Sequence, residues 1–154
     1  MDIFVTHSST PSRGILHFGE MREMPAPCAL GHGGVATIKT EGDGITPAGA
    51  WPVRRIWYRP DREARPVSPL EICQIDRKTG WCDDAERAEY NHPVALPFDG
   101  SHEVLWRSDG LYDIFLELGF NDAPPVPRAG SAIFLHLEKN DFQPTLGCIA
   151  VSRA

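Results

Sequence analysis

The chain predicts a mainly β fold, a β-rich α+β architecture with one or two short helices and long loops, on three observations. Its 14 glycines and 14 prolines in 154 residues together exceed the roughly 12% of average usage. They are scattered among apolar runs, which disfavours long helices without implying disorder. The apolar runs are short, and several alternate with polar residues at the period of two that marks a half-buried strand. Turn-forming clusters punctuate them at close intervals. The length fits one domain over residues 1–154, since a chain of about 150 residues buries roughly two-thirds of its unfolded surface. A helix bundle, a coiled coil and a collagen-like repeat are excluded.

Taken in order, Ile3 and Val5 alternate with polar neighbours as in an edge strand, and 14–18 reads as a second short strand. Gly31-His32-Gly33-Gly34 and Glu41-Gly42-Asp43-Gly44 are turns, and 53–58 is a β-branched and aromatic run that predicts a strand. Asp83–Tyr90 is the best short helix, with Asp83 as N-cap and Glu86 three residues on as in a capping box. Residues 104–107 and 111–118 flank Ser108-Asp109-Gly110, which predicts a hairpin with Gly110 at a positive φ. In the second arm Tyr112, Ile114, Leu116 and Leu118 share one face, opposite Asp113, Phe115 and Glu117. Residues 121–130, with three prolines, form a surface loop. Residues 132–135 are apolar on both faces and predict a central strand. A loop at 140–144 then leads to a last strand over 147–151.

Charge and cysteine content narrow the partners. Fifteen Lys and Arg against 21 Asp and Glu leave a net charge of −6. The basic residues are dispersed apart from Arg54-Arg55 and Arg59/Arg62/Arg65, so nucleic acid is not an expected partner. No apolar stretch reaches the roughly 20 residues of a membrane span. The start of the chain lacks the basic and apolar regions of a secretory signal. Cys28, Cys73, Cys82 and Cys148 are too few and too irregular for a disulfide scaffold, although Cys73 and Cys82 can pair across a short loop. A buried small hydrophobe is the alternative reading for each of them.

The informative pair is His136 and Cys148. One ends the most apolar strand, the other opens the next apolar segment, and eleven residues lie between them. Adjacent strand ends would then bring imidazole and thiol together, and an imidazole can take the proton of a thiol that is a weak nucleophile at neutral pH. Gly147, lacking a Cβ, lets a substrate carbonyl approach the backbone, where the Gly147 and Cys148 amides can form an oxyanion hole. Thr145 can hydrogen-bond the backbone or orient the imidazole. A buried structural cysteine beside an unrelated histidine is the competing interpretation of the same spacing.

Two segments carry a resemblance. Gly130-Ser131-Ala132-Ile133-Phe134-Leu135-His136, followed by Pro144-Thr145-Leu146-Gly147-Cys148-Ile149-Ala150, resembles the YkuD-type L,D-transpeptidase catalytic domain family, which carries a His followed by Ser/Thr-x-Gly-Cys. Gly42-Asp43-Gly44-Ile45-Thr46-Pro47-Ala48-Gly49-Ala50-Trp51 looks like its glycine-rich Thr-Pro-x-Gly motif. Gly80-Trp81-Cys82-Asp83-Asp84, Tyr90-Asn91 and the 105–113 stretch are similar to a short bacterial subgroup. The resemblance implies a sandwich-like or barrel-like β domain, with Cys148 as nucleophile and His136 as base. The reaction it implies attacks the carbonyl between an L-centre and a D-amino acid in a peptidoglycan stem peptide. A thioester forms on Cys148 and passes to a second stem's amine as a 3→3 crosslink. With water as acceptor the same site is an L,D-carboxypeptidase. The resemblance further implies carbapenem sensitivity, no cofactor or metal, a peptidoglycan partner, and a periplasmic or cell-wall location that the chain's own start does not encode. A monomer is expected.

Leu146 stands where the usual Ser-His-Gly-Cys element has a second histidine, so Thr145 or a backbone carbonyl must orient His136. Trp81, Tyr90, Asn91 and Asp84 are candidate substrate-groove residues. Their alternative roles are core packing for the aromatics and an ion pair with an arginine such as Arg107 for Asp84. Two rival functions remain at this stage. A metallohydrolase could draw on His102, Glu103, Asp83, His136 and Cys148, but no HxH or HExxH spacing occurs. A non-catalytic wall-binding module would need no competent thiol.

Overall fold

A computed structural model describes residues 2–19 and 23–153. Positions 1, 20–22 and 154 of the expected domain lie outside the described residues. Thirteen strands were found among them: β1 (Ile3–His7), β2 (Arg13–Phe18), β3 (Glu23–Ala29), β4 (Val35–Ala36), β5 (Thr46–Pro47), β6 (Val53–Tyr58), β7 (Glu71–Gln74), β8 (Thr79–Cys82), β9 (Pro93–Ala95), β10 (His102–Val104), β11 (Ile114–Leu118), β12 (Phe134–Leu137) and β13 (Ile149–Val151). Eight form one sheet in the order β1-β2-β3-β13-β12-β11-β6-β7, three form a small sheet β10-β8-β9, and β4 pairs with β5. The mainly β class holds, and the large sheet is open at β1 and β7 rather than closed into a barrel.

The chain-order reading succeeds where apolar runs are long. β1 is the edge strand expected, and β12 is central, flanked by β11 antiparallel and β13 parallel. Each face of the large sheet carries an apolar cluster. On one, Trp57, Phe115, Phe134 and Cys148 pack with Trp81 of the small sheet, Ile75, Leu105 and Tyr112. On the other, Leu16, Cys28, Leu30 and Ile149 pack with Leu118 and Leu135. Phe134 and His136 alternate with Leu135 along β12, so the histidine shares the first face with the aromatic cluster.

Three expectations are corrected. No helix forms among the described residues, and 83–90 is a run of turns instead. The Cys82 N–H donates to the His92 carbonyl and the Asn91 N–H to the Cys82 carbonyl, both at 2.9 Å, so the two ends of the segment are pinned together. An eight-residue helix would separate them by about 12 Å. Asp84, not Asp83, organises the segment, accepting the Glu86 N–H at 3.1 Å.

The 104–118 hairpin is also absent. β10 pairs with β8 in the small sheet while β11 pairs with β6 and β12 in the large one. Gly110 does take the positive φ, 82°, but its turn passes the chain between sheets. On β11 the polar face is the more deeply buried one. Glu117 accepts hydrogen bonds from Trp57 Nε1 at 2.7 Å and from the Arg55 guanidinium at 2.9 Å, which satisfies a carboxylate that could not otherwise be buried.

Candidate active site

β12 and β13 run parallel with Leu135 beside Ile149 and His136 beside Ala150. Continued one residue back, that register sets Cys148 beside Phe134. Cys148 and His136 are therefore diagonal neighbours on one face of adjacent strands. The Phe134 N–H approaches Cys148 Sγ at 3.4 Å, and the thiol donates to the Ala132 carbonyl at 3.1 Å. Ala132 holds a φ of 52°, uncommon for a residue with a Cβ. Its N–H is secured by Asn91 Oδ1 at 2.9 Å.

His136 Nδ1 lies 2.7 Å from the Leu137 carbonyl. A carbonyl can only accept, so Nδ1 carries the proton and Nε2 keeps the free lone pair. The ring packs edge-on to Tyr112, centroids 5.3 Å apart. Burial pulls the imidazole below its ordinary value, which leaves it neutral at physiological pH. Burial first, then the Glu103 carboxyl, push the Cys148 thiol up to about 12, against the Phe134 N–H and the Lys39 ammonium, which favour the thiolate. The resting pair is thus thiol and neutral imidazole. Glu103 accepts the Tyr112 hydroxyl at 2.7 Å, and burial raises this carboxyl as well.

The turn before the cysteine is built by Thr145. Its hydroxyl donates to the Cys148 carbonyl at 2.7 Å and accepts the Gly147 N–H at 3.1 Å. Thr145 therefore binds backbone, and the Leu137 carbonyl holds the imidazole. Because the Gly147 N–H is engaged, the Cys148 N–H is the amide left without a partner among the described residues. Gly147 sits at a φ of 133°, and a Cβ there would lie 2.8 Å from the Ile45 carbonyl. Leu146 projects into solvent, 81% exposed. From the glycine-rich segment, Thr46 accepts the Gly31 N–H at 2.8 Å, and its hydroxyl lies 3.5 Å from the Cys148 carbonyl.

The four groove candidates make their hydrogen bonds and ion pairs to groups other than the thiol. Trp81 is buried edge-on against Phe134, centroids 5.0 Å apart, and donates Nε1 to Asn91 Oδ1 at 3.1 Å. Asn91 also donates Nδ2 to the carbonyls of Phe120 and Asn121 at 3.0 and 2.8 Å. The Tyr90 hydroxyl donates to Glu41 and accepts the Gly130 N–H at 3.0 Å. Asp84 stitches its own loop, 3.8 Å from Arg87 rather than paired with Arg107, whose partner is Asp109. All four cysteines are free thiols, so Cys73 and Cys82 are not paired. No group of three or more His, Cys, Asp or Glu side chains among the described residues is arranged to hold a metal ion. Among the described residues no helix is long and apolar enough to cross a membrane.

The sequence reading missed Lys39, whose side chain is 3% exposed beside the Gly147 turn. It lies in the polar stretch 37–43, which carries no periodicity that would signal burial.

Neither a comparison with curated proteins nor one with solved structures gives a significant match. A family profile for the L,D-transpeptidase catalytic domain (YkuD) matches residues 13–154. That span takes in β2 through β13, the thiol and the imidazole, and the chain belongs to the L,D-transpeptidase catalytic domain family.

Proposed function

We propose that the chain is one catalytic domain over residues 1–154, a cysteine-dependent L,D-transpeptidase acting on peptidoglycan stem peptides and forming 3→3 crosslinks. The observation that carries this reading is the placement of Cys148 and His136 on one face of paired parallel strands, with Nδ1 already committed to a carbonyl. His136 Nε2 takes the Cys148 proton as sulfur attacks the carbonyl carbon between the L-centre and the D-residue. The tetrahedral oxyanion is met by the Cys148 N–H. Collapse breaks the C–N bond, and the imidazolium returns its proton to the departing D-amino acid's amine. The thioester is then attacked by a diamino-acid side-chain amine of a second stem, which gives its proton to His136 and regenerates the thiol. Thr145 and Gly147 shape the turn. Trp81, Tyr90 and Asn91 build the wall behind Ala132, and Asp84 holds the loop beyond them.

The test is incubation with tetrapeptide muropeptides and mass analysis of the products. A crosslinked dimer supports transpeptidation, and free tripeptide assigns water as the acceptor. If the products are the same with Cys148→Ala, the mechanism is wrong. A carbapenem adduct on Cys148 in the intact protein would support the acyl-thioester independently.

A further inference from the structure

The buried lysine has no role in the mechanism above, yet its surroundings are built around it. Its stem passes beneath Gly130, where an added Cβ would come within 2.7 Å of Cε and 3.0 Å of Cδ. Its ammonium lies 3.4 Å from the position a Cβ would take at Gly147. Both glycines hold positive φ, 101° and 133°. The two positions therefore border the passage that the lysine fills.

One N–H of the ammonium meets Asp43 Oδ1 at 2.7 Å, the single hydrogen bond it makes among the described residues. Asp43 is itself anchored by the Thr40 N–H at 2.6 Å and the Ile45 N–H at 2.8 Å, so the anion is fixed in place. Two ammonium donors are left beside the Gly147 turn. A lysine is almost never fully buried unless paired, and this one is paired only through one of its three donors.

We propose that Lys39 is a cationic positioning residue of the nucleophile turn, keyed between Gly130 and Gly147, which favours the negative charge that develops at Cys148 and on the attacked carbonyl. The inference rests on Cys148 being the nucleophile. The charged and titratable groups around that thiol oppose one another. Lys39 with Asp43 stands beside the Gly147 turn, Glu103 is bonded to Tyr112 of the cluster that holds the thiol, Arg107 lies over the Tyr112 ring, and His136 stands on β12. Glu103 disfavours the thiolate and Lys39 favours it. Asp43 sets how much of the ammonium's field reaches the sulfur.

The measurement is the rate of Cys148 alkylation by iodoacetamide against pH, read by peptide mass spectrometry, for the wild type, Lys39→Met, Lys39→Arg and Asp43→Asn. Lys39→Met should slow labelling about three- to tenfold near neutral pH and move the titration limb upward, with the rate at high pH unchanged. Lys39→Arg should restore most of the loss. Asp43→Asn should move the limb the opposite way, because the ammonium loses its neutralising partner. A lysine that merely fills space would lower the melting temperature and leave the limb in place.

An unshifted limb in Lys39→Met, or a shift of the same sign in Asp43→Asn, overturns the proposal. If Lys39→Met does not accumulate, the sign of the Asp43→Asn shift decides alone. Wild-type Cys148 that stays unlabelled at every pH overturns the nucleophile reading, and this inference with it. Labelled wild type with unmoved variants overturns this inference only.

Discussion

Asn91 offers the sharpest test of how the site is held. Its side chain is 5% exposed and makes four hydrogen bonds, two accepted by Oδ1 from Trp81 Nε1 and the Ala132 N–H and two donated by Nδ2. Asn91→Ala removes all four. The Trp81 and Ala132 donors are left buried without an acceptor, at about 1–3 kcal/mol each. The Phe120 and Asn121 carbonyls, being half-buried, can recover water and add little. Asn91 also holds a φ of 58°, which alanine tolerates less well than asparagine, by roughly 1 kcal/mol. The sum is about 3–7 kcal/mol.

For a chain of about 150 residues each kcal/mol lowers the melting temperature by roughly 2–4 °C, so a fall of about 6–28 °C is expected. Urea denaturation of Asn91→Ala and Asn91→Gly separates the contributions. Glycine should recover about 1 kcal/mol of backbone strain and none of the hydrogen bonding. Because Ala132 accepts the Cys148 thiol through its carbonyl, acylation of Cys148 should slow in both variants with little change in KM. A loss under about 1 kcal/mol would refute the reasoning. So would full stability with a raised KM for the stem peptide, which would make Asn91 a substrate contact rather than a clamp.

Other outcomes follow from the geometry. His136→Ala should reduce the rate of Cys148 acylation by about 10²–10⁴-fold, the usual contribution of a general base, and an unchanged rate would remove His136 from the chemistry. In the wild type the acid limb of kcat/KM should lie below the ordinary imidazole value of about 6.5. The same depressed value means that the unfolded chain binds the proton more readily. The contribution of His136 to stability is therefore complete above about pH 6.5 and is lost as pH falls from there towards the folded value. Gly147→Ala should destabilise by roughly 1–3 kcal/mol, since its φ is 133° and the new methyl would sit 2.8 Å from the Ile45 carbonyl; a melting curve superimposable on the wild type would contradict that.

What the sequence made legible was whatever depends on near neighbours. The runs that became β2, β6, β12 and β13 are apolar or β-branched enough to announce strands, and His136 and Cys148 sit at their ends. The misreadings share one cause. Residues 83–90 have a helix's capping and composition, but the Cys82–His92 closure overrules both. The turn at Gly110 looks like a hairpin until partner strands are assigned, and the partners of β11 come from residues 53–58 and 134–136. The alternation along 112–118 does not tell which face is buried, because Arg55 and Trp57, which make the burial of Glu117 tolerable, lie about 60 positions away. Lys39 was hidden for the same reason, since Gly130 and Gly147 give it a passage that no local pattern encodes.

The burial that organises this face also constrains how the site can work. It raises the thiol and lowers the imidazole, so it acts on the two partners in opposite directions and holds the proton on sulfur at rest. A thiolate is the form that oxidises and alkylates readily, and the resting site keeps little of it. The hydrogen bond from Sγ to the Ala132 carbonyl holds the proton away from Nε2, and in the proposed mechanism that bond breaks before His136 takes the proton. In the proposed mechanism, transfer to His136 gains only when a developing oxyanion is present to be stabilised by the Cys148 N–H. In the reaction proposed above, reactivity is thereby coupled to an electrophile seated beside Cys148, because only that partner supplies the oxyanion.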